Sequence, residues 1–155
     1  IPALSLQSIS IDERSIEDPY MKIRQPEYHL YSHAGKQTEL SFQLVPTVEI
    51  EGELALQYAL ESSEEPSERA VPGVELTLLD EDGNLIVKTH SEYDGIFLFE
   101  GILPGKYQLI IAPDYLSKHH LDTLESWFIE IQGNEGVLYL DKIILQRSLG
   151  KTSDL

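Results

Sequence analysis

The chain has 155 residues, of which 41% are hydrophobic, and its 27 acidic and 11 basic residues give a formal net charge of −16. This length suffices for one well-buried core. The negative charge excludes nucleic acids and anionic membrane surfaces as favourable partners, because both are repelled. Cysteine is absent, which excludes disulfides and thiolate chemistry, and no apolar run is long enough to span a membrane.

Residues 1–46 are predicted to form N-terminal strands, as a small subdomain or as the end of a preceding sandwich. Leu4–Ile11 alternates apolar and polar residues, which is the period of a strand. Tyr28–Tyr31 and Glu39–Val45 are predicted to be two strands on either side of a loop that contains Gly35. The chain begins with isoleucine, so we expect a fragment or a processed product.

A long strand is predicted for Val48–Tyr58, where apolar residues recur at every second position. The composition of Glu53–Leu60 would also suit a helix, but the period of two favours the strand. Gly52 is predicted to mark a bulge or bend. Glu61–Glu68 is acidic and has no apolar residue to bury, so it is predicted to be an exposed, mobile loop.

The next segments are predicted to form hairpins. Asp82–Gly83 suits a tight turn, with glycine supplying the positive φ, and Leu85–Thr89 returns antiparallel. Ile96–Phe99 and Tyr107–Ile111 are predicted to pair with each other, because Leu103–Gly105 has proline and glycine in the order that turns favour.

The end of the chain is predicted to complete the sheet. Asp114–Leu124 lacks the strand period and is predicted to form a short helical turn, with no helix longer than two turns anywhere. Trp127–Ile131 and Val137–Leu145 are predicted to close the sheet around Gly133–Gly136. Residues 148–155 are predicted to be a flexible tail.

The fold class that follows is all-β, an antiparallel Greek-key β-sandwich that spans residues 47–147. Alternation defines which side chains face the core. The residues predicted to be buried are Val74, Leu76, Leu78, Phe97, Phe99, Tyr107, Leu109 and Ile111.

Turn and strand motifs recur in a fixed order along this region: Pro72–Val74, Asp82–Gly83, Thr89, Asp94–Phe99 and Leu103–Tyr107. This order resembles the carboxypeptidase regulatory-like domains, which are transthyretin-like (prealbumin-like) sandwiches related to the B-type repeats of bacterial surface adhesins. The resemblance covers residues 47–147. It implies a structural module without catalytic activity.

Three segments, Ser91–Gly95, Phe97–Gly101 and Pro104–Tyr107, are similar to the C-terminal modules of outer-membrane ushers. That resemblance implies a periplasmic assembly domain in pilus biogenesis, with a pilus subunit or chaperone as partner. The location would be the periplasm, cell surface or outer membrane of a Gram-negative bacterium. Three alternatives stay open: an adhesin stalk domain, a carbohydrate-binding accessory domain of a secreted enzyme, and a regulatory domain attached to a peptidase or hydrolase.

The sequence predicts no catalytic, cofactor-binding or metal-binding residue, and we expect no enzyme. Val48–Tyr58 has no lysine, so the isopeptide cross-link of some adhesins is excluded. Asp80–Asn84 begins like a calcium loop, but its twelfth position is Ser91 instead of glutamate, so we predict a hairpin turn. The histidines are predicted to be surface residues: His29, His33, His90, His119 and His120.

Exposed aromatic residues are a further candidate surface for sugars or proteins: Tyr93, Tyr115, Trp127 and Tyr139. Trp127 is predicted to pack in the core or over one end of the sheet. A protein partner is expected to present basic residues, because the chain is acidic. The predicted contact regions are an exposed sheet edge and the loops Glu61–Glu68 and Asp114–Leu124.

Overall fold

The computed structural model describes residues 5–59, 62, 64–123 and 126–148. A 3₁₀ helix occupies Glu13–Ser15 and an α-helix, α1, occupies Pro113–Lys118. The strands are β1 (Ser5–Ser10), β2 (Met21–Ile23), β3 (Glu27–Ser32), β4 (Leu44–Pro46), β5 (Val48–Tyr58), β6 (Ser67–Ala70), β7 (Glu75–Asp80), β8 (Leu85–His90), β9 (Ile96–Ile102), β10 (Gly105–Ile111), β11 (Leu121–Thr123), β12 (Trp127–Ile131), β13 (Val137–Tyr139) and β14 (Ile143–Arg147).

Two sheets enclose the core. Sheet I has the strand order β12-β10-β7-β8. Sheet II is built around β5, which pairs with β9 and β13 in its first half and with β6 and β14 in its second half, while β11 adds next to β14. The predicted all-β sandwich is confirmed. Its pairing is antiparallel except that β13 and β14 run parallel to β5.

The eight residues predicted to be buried are all buried, so the predicted faces of these strands are confirmed. Phe97 and Phe99 lie edge to face, with ring centroids 5.9 Å apart. β5 is a strand, as predicted. Gly52 is not a bulge: the register shift lies between Val48 and Ile50, and Gly52 is opposite Phe97, whose ring fills the space that a Cβ would need.

The predicted pairing of Ile96–Phe99 with Tyr107–Ile111 is wrong. β9 pairs with β5 in sheet II, whereas β10 pairs with β7 and β12 in sheet I. The Leu103–Gly105 turn therefore carries the chain from one sheet to the other. The Tyr107 hydroxyl donates a hydrogen bond of 2.6 Å to the Leu103 carbonyl, which holds this crossing in place.

The prediction that Trp127–Ile131 and Val137–Leu145 close the same sheet is also wrong. β12 belongs to sheet I and pairs with β10, while β13 and β14 pair with β5 in sheet II. The loop around Gly133–Gly136 is thus a second crossing between sheets. A side chain that reaches back into the loop, Glu135, accepts hydrogen bonds from the backbone N–H groups of Gln132 and Gly133.

The N-terminal segment forms two small two-stranded sheets. β1 pairs with β3, which confirms the first predicted strand over the described residues, and β2 pairs with β4. The predicted strand Glu39–Val45 is wrong, because only its last two residues belong to β4 and their partner is β2. The segment contacts the sandwich through hydrogen bonds from Thr47 to the Tyr20 carbonyl and from Lys22 Nζ to the Gly101 carbonyl. The domain boundary at residue 47 stays a prediction.

The helical turn predicted for Asp114–Leu124 corresponds to α1, which is followed by β11. Both described helices are shorter than two turns. Leu124 and, apart from Ser148, the predicted tail lie outside the described residues. None of the described helices has the length and hydropathy that a bilayer crossing requires.

Candidate functional site

The Asp80–Asn84 segment forms the predicted hairpin turn between β7 and β8. Asp80 Oδ1 accepts hydrogen bonds from the backbone N–H groups of Asp82 (3.0 Å) and Asn84 (2.8 Å), and Gly83 has a φ of 81°. The bond from the Asn84 N–H is the largest cause that lowers the pKa of Asp80 below its ordinary value. This carboxylate is therefore engaged in holding the turn.

Ser91 is a buried polar residue with a structural contact on each side. Its hydroxyl donates to the Val71 carbonyl (2.6 Å) and accepts from the Val74 N–H (3.0 Å). Two backbone groups that would otherwise be unpaired in the core are satisfied in this way. The hydroxyl therefore holds together the backbone that leads into β7, and its role is structural.

The histidines do not converge. His29 belongs to β3 and His90 to β8, while His119 follows α1 and stacks on Tyr115 with a centroid distance of 4.3 Å. His33 and His120 lie in turns. Among the described residues, no group of three or more His, Asp or Glu side chains is placed to hold a metal ion.

The aromatic candidates are distributed over different elements. Tyr93 lies in the β8–β9 turn and Tyr139 on β13, and both are exposed. Tyr115 and Trp127 are partly buried and pack against the core, which confirms the prediction for Trp127. These four residues therefore do not form the flat aromatic surface that sugar stacking needs.

The predicted loop Glu61–Glu68 is only partly described, because residues 61 and 63 lie outside the described residues. The end of the loop is a correction: Ser67 and Glu68 begin β6, which pairs with β5. Glu68 also receives a hydrogen bond of 3.1 Å from Lys142, a bond that raises the pKa of that lysine.

A row of three apolar side chains and one glutamine crosses the outer face of sheet I. Leu79 in β7 lies opposite both Leu85 in β8 and Gln108 in β10. Gln108 in turn lies opposite Phe128 in β12. Phe128 is 76% exposed and Leu85 is 55% exposed. We call these four side chains the outer row.

The outer row ends at two open edges. Within the described part of the chain, β12 pairs only with β10, and β8 pairs only with β7. Phe128 is not among the residues that the sequence motifs single out. Its signal was its place in the alternation of β12, where Ile129 and Ile131 face the core and Phe128 therefore points outward.

Comparison with known proteins gives a partial match. Residues 60–126 match the family model described as the second β-sandwich domain of BOS complex subunit NOMO1-like proteins, which is less than half of the chain. The match supports a β-sandwich of the transthyretin-like and carboxypeptidase regulatory-like type. A search of curated protein sequences finds no match.

Several solved structures resemble the chain weakly. The Bacillus anthracis TIE protein has a TM-score of 0.48 at 19% identity, over 93% of this chain and 25% of that one. The major pilin subunit BcpA of Bacillus cereus has a TM-score of 0.47 at 17% identity, over 79% of this chain and 34% of that one. The minor pilin GBS52 of Streptococcus agalactiae has a TM-score of 0.46 at 12% identity, over 90% of this chain and 65% of that one. The chain thus spans less than two thirds of each, and with TM-scores below 0.5 none supports a conclusion about this chain.

Proposed function

We propose that this chain is a non-catalytic β-sandwich module of a bacterial envelope or surface protein and that it binds a protein partner along β12. The observation that carries the proposal is Phe128, a large apolar side chain that is 76% exposed on an open strand edge. An edge strand presents unpaired backbone N–H and C=O groups, which an extended segment of a partner can pair with. Phe128 would supply the apolar anchor of such a contact.

The absence of catalysis is part of the proposal and has its own support. Asp80, Ser91 and Glu135 are residue types that catalyse reactions elsewhere, but here each one satisfies backbone N–H or C=O groups of a turn or strand entry. Tyr107 likewise bonds to the Leu103 carbonyl, and burial raises the pKa of its phenol. These groups serve the fold.

The partner is proposed to present basic residues around the contact. With a net charge of −16, the chain attracts a basic surface at long range, and such attraction mainly raises the association rate. Added salt screens this attraction beyond about 10 Å at about 0.1 M ionic strength. Association should therefore slow as the salt concentration rises.

The usher context is the most specific form of this proposal. Its support is the likeness of Ser91–Gly95, Phe97–Gly101 and Pro104–Tyr107 to usher C-terminal modules. In that setting the partner is a pilus subunit or chaperone, and the location is the periplasm. Neighbouring sequence tests the setting: strands of about ten alternating residues before the chain indicate an outer-membrane barrel. Tandem copies of the module indicate a surface stalk instead.

A capture experiment tests the proposed contact. The wild-type chain and two variants, Phe128→Asp and Tyr139→Asp, are immobilised and exposed to bacterial envelope extract at low and high salt, and the retained proteins are identified by mass spectrometry. Both substitutions introduce an acid at an exposed aromatic position, 76% and 69% exposed, so Tyr139→Asp is a matched control on the other sheet.

We expect the wild-type chain and the Tyr139 variant to retain the same protein at low salt, and the Phe128 variant to lose it. Equal retention by both variants would place the contact away from β12. Retention of polysaccharide alone, independent of salt, would replace this proposal with the carbohydrate-binding alternative.

A further inference from the structure

Two arginines from distant parts of the sequence meet at the end of the sandwich next to α1. Arg69 on β6 lies opposite Leu56 on β5, and Arg147 on β14 lies opposite Leu121 on β11. Residues opposite each other in a sheet point to the same face. Because Leu56 and Leu121 face the core, both arginines extend from the inner face at the point where the core opens to solvent. We call this opening the arginine cavity.

The arginine cavity is lined by both apolar and cationic residues. Its volume is about 270 Å³, and it is lined by Leu56, Val71 and Leu121, which are buried, and by the two arginines. Tyr115 and His119, whose rings stack 4.3 Å apart, form one wall. A second opening of about 700 Å³ shares Leu56 and both arginines and continues past the end of β5.

Neither arginine side chain has an ion-pair or hydrogen-bond partner among the described residues. Two other cations, Lys88 and Lys142, each form an ion pair with a glutamate. Among the described residues, no acidic side chain lines either opening. In a chain with 27 acidic residues, two unpaired guanidinium groups on one cavity leave a local positive charge that an anion would neutralise.

We propose that the arginine cavity binds the C-terminal carboxylate of a partner polypeptide whose last residue is apolar. Guanidinium groups bind carboxylates through paired, charge-assisted hydrogen bonds. An apolar C-terminal residue carries its carboxylate and its hydrophobic side chain on the same Cα, which matches an opening lined by two arginines together with leucine and valine. The larger opening offers a path for the preceding residues.

This inference does not depend on the β12 contact, since the arginine cavity is formed by β5, β6, β11, β14 and α1. The two proposals can therefore fail separately. An internal glutamate is a different source of a carboxylate, but it brings no apolar side chain to the same position. The experiment distinguishes these two sources.

The test is a titration of the ¹⁵N-labelled chain with short peptides, in which binding is monitored through the backbone amide chemical shifts. Three peptides serve as probes: acetyl-Gly-Ser-Val-Leu with a free C-terminus, the same peptide as its C-terminal amide, and acetyl-Gly-Ser-Glu-Leu amide. The variants are Arg69→Ala and Arg147→Ala, with Lys118→Ala as a matched loss of one exposed cation on α1. All three positions are exposed, and unchanged spectra of the free variants confirm that they fold.

We expect the free acid to shift amides near Leu56, Val71 and Leu121 and to bind at least about tenfold more tightly than the amide, because a hydrogen bond to a charged group is worth a factor of this size. Each arginine variant should bind the free-acid peptide more weakly by a similar factor, and Lys118→Ala should leave this affinity unchanged. Equal affinity for acid and amide, or no shifts with any peptide, would overturn the proposal. Equal affinity of the internal-glutamate amide would overturn the C-terminal assignment.

Discussion

In the sandwich, β5 buries Val48, Ile50 and Leu54 completely, whereas in the N-terminal ribbon formed by β1 and β3 every residue of β1 is exposed. Both strands contain apolar residues, at every second position through most of β5 and, three residues apart, at Leu6 and Ile9 in β1. The difference lies in the surroundings. β5 has strand partners in both halves and sheet I across the core, while β1 pairs with β3 alone within the described residues.

This comparison separates two pieces of information in a sequence. A period of two predicts that a segment is a strand and which residues share a face. Burial needs a second layer, and a two-stranded ribbon without one is marginally stable in water. We therefore expect the free energy of unfolding to depend on the sandwich and to respond weakly to changes in the ribbon.

The largest expected contrast is between Phe99→Ala and Leu6→Ala. Phe99 is buried in sheet II, so its truncation should destabilise the chain by about 3–5 kcal/mol. Leu6 is 60% exposed in β1, and its truncation should change stability by less than about 0.5 kcal/mol. Denaturant unfolding of both variants measures this difference. A loss below about 1 kcal/mol for Phe99→Ala would show that the strand register is wrong.

Ser91→Ala and Ser8→Ala compare two serine hydroxyls in the same way. The Ser91 hydroxyl bonds to Val71 and Val74 within the core, so its removal leaves two buried backbone groups unpaired and should destabilise by about 1–3 kcal/mol. The Ser8 hydroxyl bonds to exposed Glu27, and its loss should fall within about 0.5 kcal/mol. Equal effects on the denaturation midpoint would contradict the distinction between the two regions.

A smaller contrast is expected in the pH dependence. Asp80 in the sandwich and Asp12 in the N-terminal segment both have a lowered pKa, through the Asn84 N–H in the first case and Arg14 in the second. A lowered folded pKa contributes stability above the unfolded pKa of about 3.9, and this contribution is lost as the pH falls through the folded pKa.

We therefore expect Asp80→Asn to reduce the loss of stability between about pH 6 and about pH 2.5, because the substituted chain no longer has that carboxylate to protonate. Asp12→Asn should leave the pH dependence of unfolding nearly unchanged, because the N-terminal segment contributes little to global stability. Unfolding midpoints at the two pH values measure both effects. A larger change in the pH dependence for Asp12→Asn than for Asp80→Asn would contradict the view that global stability depends on the sandwich.

The smallest expected effect is that of metal ions. Asp80 uses its carboxylate to accept backbone hydrogen bonds, so the turn is complete without calcium. The melting temperature should be the same with EDTA and with calcium at about millimolar concentration. A rise of several degrees with calcium would reveal a site that the turn geometry does not indicate.

The strands of the sandwich and the faces of its core could be predicted from the sequence, but several strand partners could not. The turn motif of Pro104 and Gly105 predicts that Ile96–Phe99 pairs with Tyr107–Ile111. A turn motif does not say whether the next strand stays in the same sheet, and here it crosses. In β5, alternation likewise could not show that β13 and β14 approach in parallel.

The candidate surfaces also depend on strand partners, which local sequence patterns do not reveal. Phe128 could be placed on an outer face by alternation, but the open edge of β12 depends on the strand order of sheet I. Arg69 and Arg147 are far apart in sequence, and the registers of β6, β11 and β14 bring them together. Long-range register is set by packing of the whole core, which local patterns do not encode.

Site-specific photo-crosslinking tests the central claim, which is that the interior of the sandwich maintains the fold while the β12 edge binds the partner. A photoreactive phenylalanine derivative replaces Phe128 in one sample and Tyr139 in another, and each is irradiated in envelope extract. The account predicts a protein adduct from position 128 and none from position 139, with wild-type unfolding midpoints for both. Adducts of equal yield at both positions, or an adduct from position 139 alone, would contradict it.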